Sequence, residues 1–109
     1  MQTTTQPSFT YESIEFNVNT GTIDYDLDAQ QATFLTKFNT LDKGFPTQVR
    51  IRTNNTITVK LNATDAHAIT IASTDSPFDI RGNEIMNLFI TNSSGSTAAV
   101  KLLFQDVEY

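Results

Sequence analysis

The sequence predicts an all-β chain: an antiparallel, jelly-roll-like β-sandwich of about eight short strands. Three observations predict it. Apolar residues recur at every second position in run after run, the runs are short, and each is bounded by Gly, Pro, Asn, Asp or Ser. Charged residues make up only 17% of the chain, and Thr, Asn and Ser take their place, which suits exposed strand faces and the turns between them. A closed barrel is the competing arrangement. The length of 109 residues fits a single domain with one core.

Residues 1–11 are rich in Thr, Gln and Ser, contain Pro7 and hold too little apolar surface to offset the entropy of ordering alone, so they read as an N-terminal arm on a sandwich spanning 12–109. Ile14, Phe16 and Val18 alternate with Glu15, Asn17 and Asn19. Ile23, Tyr25 and Leu27 alternate with Asp24 and Asp26. Thr20-Gly21 between them supplies the positive φ of a tight hairpin turn. Residues 29–41 fit a helical stripe in part, but Thr33, Phe34, Thr36 and Phe38 favour a strand over 33–38. Gly44 and Pro46 break the following loop.

Residues 48–62 repeat the hairpin grammar: Val49 and Ile51 alternate with Arg50 and Arg52, Asn54-Asn55 makes the turn, and Ile57, Val59 and Leu61 alternate with Thr58 and Lys60. His67, Ile69 and Ile71 form another alternating run, and residues 78–80 a short extended piece. Residues 83–104 give the plainest hairpin of all. There Met86, Leu88 and Ile90 face one way, as do Val100, Leu102 and Phe104, on either side of Asn92-Ser93-Ser94-Gly95-Ser96. Phe89 and Leu103 interrupt the pattern, because they fall on the polar face and there ask for a cover from another subunit or from the arm.

Composition excludes several classes of function. The absence of cysteine removes disulfides, thiolate metal sites and cysteine nucleophiles. A net charge of −5 argues against nucleic acid, whose phosphates need a basic surface. No apolar run approaches a membrane span, and the first residues lack the basic and apolar regions of a signal peptide.

The candidate chemistry is correspondingly sparse. Asp24, Asp26 and Asp28 form an acidic row, but alternate residues of a strand lie about 6.7 Å apart, too far for three carboxylates to hold one calcium ion without loop oxygens. We therefore expect no metal and no cofactor. Arg50, Arg52 and Lys60 form the matching basic row, and the two rows read as faces that either meet between neighbouring subunits or each meet another partner. His67 is the only histidine and lacks a nucleophile beside it, and Ser93-Ser94-Gly95-Ser96 matches neither a nucleophile elbow nor a phosphate-binding loop, so no catalytic residue and no enzyme is expected. Asn-x-Ser/Thr sequons at Asn54, Asn62 and Asn92 follow from the composition. Phe9, Tyr11 and Tyr109 near the ends, with Phe89 and Leu103, complete the set of expected interface residues.

The segments IRTNNTITVKLN (51–62) and AITIASTDSPFDIRGNEIMNLFITNSSGSTAAVKLLF (68–104) resemble small β-sandwich structural proteins of tailed bacteriophages. In those an I-R-T-x-x-x-I-x-V/I-x-x-N run is followed by S-P-F-x-I and then by I-T-N-x-S-G. The likeness covers about residues 48–105 and rests on pattern more than on invariant chemistry. It implies a virion component, assembled in the host cytoplasm, whose partners are other copies of itself and other virion proteins. A capsid decoration or cement subunit is the leading expectation, with a tail, neck or baseplate subunit as its alternative. From a different class, a monomeric carbohydrate-binding sandwich is the rival, disfavoured by the absence of tryptophan.

Overall fold

In a computed structural model, residues 8–32, 34–39, 45–81 and 84–108 are described, the side chains of 8–12, 37–39 and 106–108 excepted. Eight strands carry the chain: β1 (Ser8–Val18), β2 (Thr22–Asp26), β3 (Gln48–Thr53), β4 (Ile57–Leu61), β5 (Ile69–Ile71), β6 (Phe78–Arg81), β7 (Leu88–Asn92) and β8 (Ala98–Glu108). Two short helices, α1 (Leu27–Gln30) and α2 (Phe34–Asn39), follow β2. The strands form two four-stranded antiparallel sheets, ordered β1-β8-β3-β6 and β2-β7-β4-β5. That is the jelly-roll order, in which the first and last strands lie side by side and the chain passes repeatedly from one sheet to the other.

The expected strands other than that over 33–38 are present, but their pairing differs. β1 and β2 lie in opposite sheets, as do β3 and β4, and β7 and β8. All three stretches read as hairpins are therefore arches across the sandwich, and the one hairpin among the described residues is β4–β5, with Ile57 opposite Ile71. The reason is that alternation and turn residues are the same in both cases. Gly21 (φ 84°) and Gly95 (φ 91°) supply positive φ for a crossing as they would for a hairpin.

Alternation decides the core well. Val49, Ile51, Ile57, Val59, Leu88, Ile90, Val100, Leu102 and Phe104 are all buried between the sheets. Ile23 and Met86 are exceptions, 75% and 48% exposed. In β2 the register shifts between Thr22 and Tyr25, where Asp24 takes φ 51°, so the period of two is interrupted at Ile23. Tyr25 recovers the inward face and stacks on Phe16 of β1, ring centroids 5.3 Å apart and planes 4° from parallel.

Residues 29–41 correct the strand expected over 33–38. Leu27 and Leu35, both fully buried, drop from the two helices into the core, and Phe34 packs on Phe104 at 5.7 Å. Tertiary burial and capping override the β propensity of Thr and Phe here. The residues expected to form the arm fall partly within the described strand. Residues Ser8 to Tyr11 continue β1, paired with Glu108 to Gln105 of β8, and residues 1–7 lie outside the described part.

Asparagines lace the ends of the sandwich. Asn92 is fully buried; its Nδ2 donates to the carbonyls of Val18 and Ser96, each at 2.8 Å, and its Oδ1 accepts from the Ser94 amide at 3.0 Å. It thus ties the β7–β8 crossing to the β1–β2 crossing. A second latch is Asn62 (φ 70°), whose Oδ1 accepts from the Met86 and Asn87 amides at 2.7 and 3.2 Å. No described helix is long and apolar enough to cross a membrane.

Candidate interaction surface

The residues expected to form one acidic and one basic row are redistributed by the crossing from β3 to β4. Arg50 and Arg52 lie on the outer face of the first sheet, while Lys60 lies on β4 in the second. Lys60 does not join the arginines; its Nζ meets Asp24 Oδ1 at 3.2 Å and donates to the Thr64 carbonyl at 2.9 Å. The expected meeting of acidic and basic rows between subunits thus has one pair inside the chain.

The other two aspartates act as caps. Asp26 Oδ1 accepts from the Ala29 amide at 3.0 Å, closing the start of α1, and from Asn87 Nδ2 at 2.8 Å. Asp28 Oδ1 accepts from the amides of Leu35 and Thr36 at 2.8 and 3.1 Å, and its Oδ2 from Thr36 Oγ1 at 2.8 Å, so it caps α2 from outside that helix. Asp26 and Asp28 thus hold the two helices that follow β2, and Asp24 ties β2 to Lys60 of β4. The alternation Asp-x-Asp-x-Asp reads as a strand face, whereas the signal for the cap of α1 is the residue type of Asp26 itself, a favoured N-cap.

The first sheet's outer face is different in kind. Across it run Glu15–Lys101–Arg52 and Ser13–Leu103–Arg50–Asp79 as register rows, with Arg81 opposite Gln48 alongside. Four of the chain's seven cationic side chains, Arg50, Arg52, Arg81 and Lys101, belong to this one face, against Glu15 and Asp79, although the chain as a whole is acidic. Arg50 grips Asp79 through two bonds, Nε to Oδ1 at 2.8 Å and Nη2 to Oδ2 at 3.1 Å. That hydrogen bonding holds the Asp79 carboxyl below the usual carboxylate range and raises Arg50. Lys101 Nζ lies 3.4 Å from Glu15, both exposed. A cavity of about 310 Å³ lined by Ser13, Arg50, Arg52, Lys101 and Leu103 adjoins a larger one of about 510 Å³, which shares Arg52 and Lys101 and adds Asn17, Asn54 and Ser76.

Leu103 is half-buried in this surface, between Ser13 and Arg50; Phe89 is half-buried on the opposite face of the sandwich, between Asp26 and Lys60. The side chains of Phe9 and Tyr11, and the whole of Tyr109, lie outside the described residues. His67 is exposed in the loop before β5. Among the described residues no three His, Asp or Glu side chains gather as metal ligands. Arg81 and Lys101 were missed as members of the cationic face, because they stand far from Arg50 in sequence and only strand order brings them beside it. Comparison with family models, curated proteins and solved structures returns no match.

Proposed function

We propose that the chain is a non-enzymatic structural subunit that works by assembly, a virion protein of the kind its sequence resembles, with capsid decoration ahead of a place in the tail, neck or baseplate. The observation that carries this reading is the outer face of the first sheet. It is broad, carries opposite charges in cross-strand rows around Leu103, and concentrates cations on an otherwise acidic molecule, the arrangement that sets register and partner choice at a repeated contact. Each such contact is weak alone and is multiplied by symmetry. Asp24, Asp26 and Asp28 are occupied in capping and in the pair with Lys60, which leaves them to hold the subunit's own shape.

The test is co-sedimentation. Tagged full-length chain, produced in cells that are making the particles, is expected in the particle band of a density gradient, and the double variant Arg52→Glu/Lys101→Glu is expected to leave it. Wild-type protein found only at the top of the gradient would overturn the assembly reading. The rival, a carbohydrate-binding module, draws on the 510 Å³ cavity, which falls within the size range of small-molecule sites. A chain that remains outside the particle band and binds a glycan through Asn54 and Arg52 would favour it.

A further inference from the structure

A sandwich with two open sheets has four edge strands, and three of these are blunted. β5 is three residues long. β6 is four residues long, follows Pro77 and carries Asp79 and Arg81. β2 is broken by its register shift at Asp24. These are the devices by which proteins keep sheet edges from pairing with other chains. The fourth edge, β1, is neither short nor broken, and the charged residues in its sequence are Glu12 and Glu15, with no lysine. It runs for eleven residues, about 36 Å at strand rise, pairs with β8 without a bulge along its whole length, and contains no Lys, Arg, Pro or Gly. Its one described charged side chain, Glu15, lies against Lys101 of β8. A long regular edge beside three blunted ones is the mark of an edge kept for pairing.

We infer that β1 pairs antiparallel with β1 of a second copy of this chain across a two-fold axis, joining the two first sheets into one continuous eight-stranded sheet. This deepens the assembly reading by naming one of its contacts, and rests on that reading only for its purpose. The occupant follows from the strand's own pattern. A partner strand must be polar where Ser13, Glu15 and Asn17 are exposed and apolar where Ile14 and Phe16 are half-buried and Val18 buried. A second β1 meets that requirement in any register that keeps the faces matched, and an antiparallel pair of identical strands closes as a dimer. The same side of the sandwich also exposes apolar surface. Ile23 of β2, at 75% the most exposed large hydrophobic residue described, lies on the edge strand of the other sheet, beside the Phe16–Tyr25 stack that bridges the two edges.

The test uses the full chain. Light scattering after size exclusion is expected to give twice the monomer mass of 12.1 kDa, and the edge-blunted variant Ser13→Lys/Asn17→Lys to give the monomer mass with the wild-type circular dichroism spectrum and a melting temperature that no longer rises with protein concentration. A wild-type monomer across a concentration series, or a dimer indifferent to the two lysines, overturns the proposal. If the lysine variant does not fold, single-cysteine variants decide. The chain has no native cysteine, so single cysteines are placed one at a time along β1, from Ser8 to Val18, and mild oxidation is expected to cross-link the position that lies opposite itself at the two-fold axis into a covalent dimer; no cross-link at any position of the strand overturns it. A dimer that never enters the particle band fails the virion reading and leaves this contact standing, and a particle-bound chain that is monomeric in solution does the reverse.

Discussion

Lys60 and Arg52 are both outward-facing strand cations in the same stretch of chain, and the fold treats them differently. Lys60, on the second sheet, is drawn into a pair with Asp24 whose side chains are only 24% and 26% exposed, beside aspartates that cap both helices. Arg52, on the first sheet, stands in an exposed row with Lys101 and Glu15, where the exposed side chains of Lys101 and Glu15 lie against each other. The second sheet's polar groups maintain the subunit, and the first sheet's present a surface. Charge type does not separate the two roles; the sheet to which a strand is assigned does.

The difference is open to measurement, and the largest effect is expected on the maintenance side. Asp28→Ala strips three hydrogen bonds from the start of α2, next to the buried Leu35, and is expected to lower unfolding free energy in urea by about 1–2 kcal/mol, the range for a lost helix cap. No loss would mean that the two helices do not contribute to the global fold. A smaller contrast comes from paired substitutions. Lys60→Met leaves Asp24 partly buried without its cation and is expected to cost up to about 1 kcal/mol, whereas Arg52→Met is expected to stay within about 0.5 kcal/mol. Equal losses in the same urea titration would erase the distinction between the faces.

The smallest effect concerns pH. Asp79 is held low by the hydrogen bonds from Arg50, so its contribution to stability is complete above the ordinary carboxylate range and is lost as pH falls through its depressed value. The pair is exposed, so the slope is shallow. Comparing acid titrations of stability for wild type and Asp79→Asn is expected to show a slightly flatter curve in the variant, and a steeper one would contradict the assignment.

Which residues point inward was legible from the sequence wherever the period of two was regular, as in β3, β4, β7 and β8, where the alternate apolar residues are buried, or partly buried in the case of Leu61. It failed at Ile23, because a bulge at Asp24 adds a residue that the pattern does not announce. It failed again at residues 33–38, because Leu35 gains more from burial in the core than Thr36 and Phe38 gain from an extended backbone there. Arg50 and Arg52 were recognisable as a basic pair, but Arg81 and Lys101 were not part of it until β6 and β8 were set on either side of β3.

By itself, then, the sequence determined the class of fold and most of the core, since alternation along a strand is a local property that fixes which face is buried. It did not determine partners. A glycine turn between two alternating runs serves a hairpin and a crossing equally, and only long-range pairing chooses between them: β8 between β1 and β3, β7 between β2 and β4. That choice placed Lys60 with Asp24, gathered four cations on one face and left β1 as the long open edge, because backbone hydrogen bonding selects neighbours that side-chain periodicity cannot name.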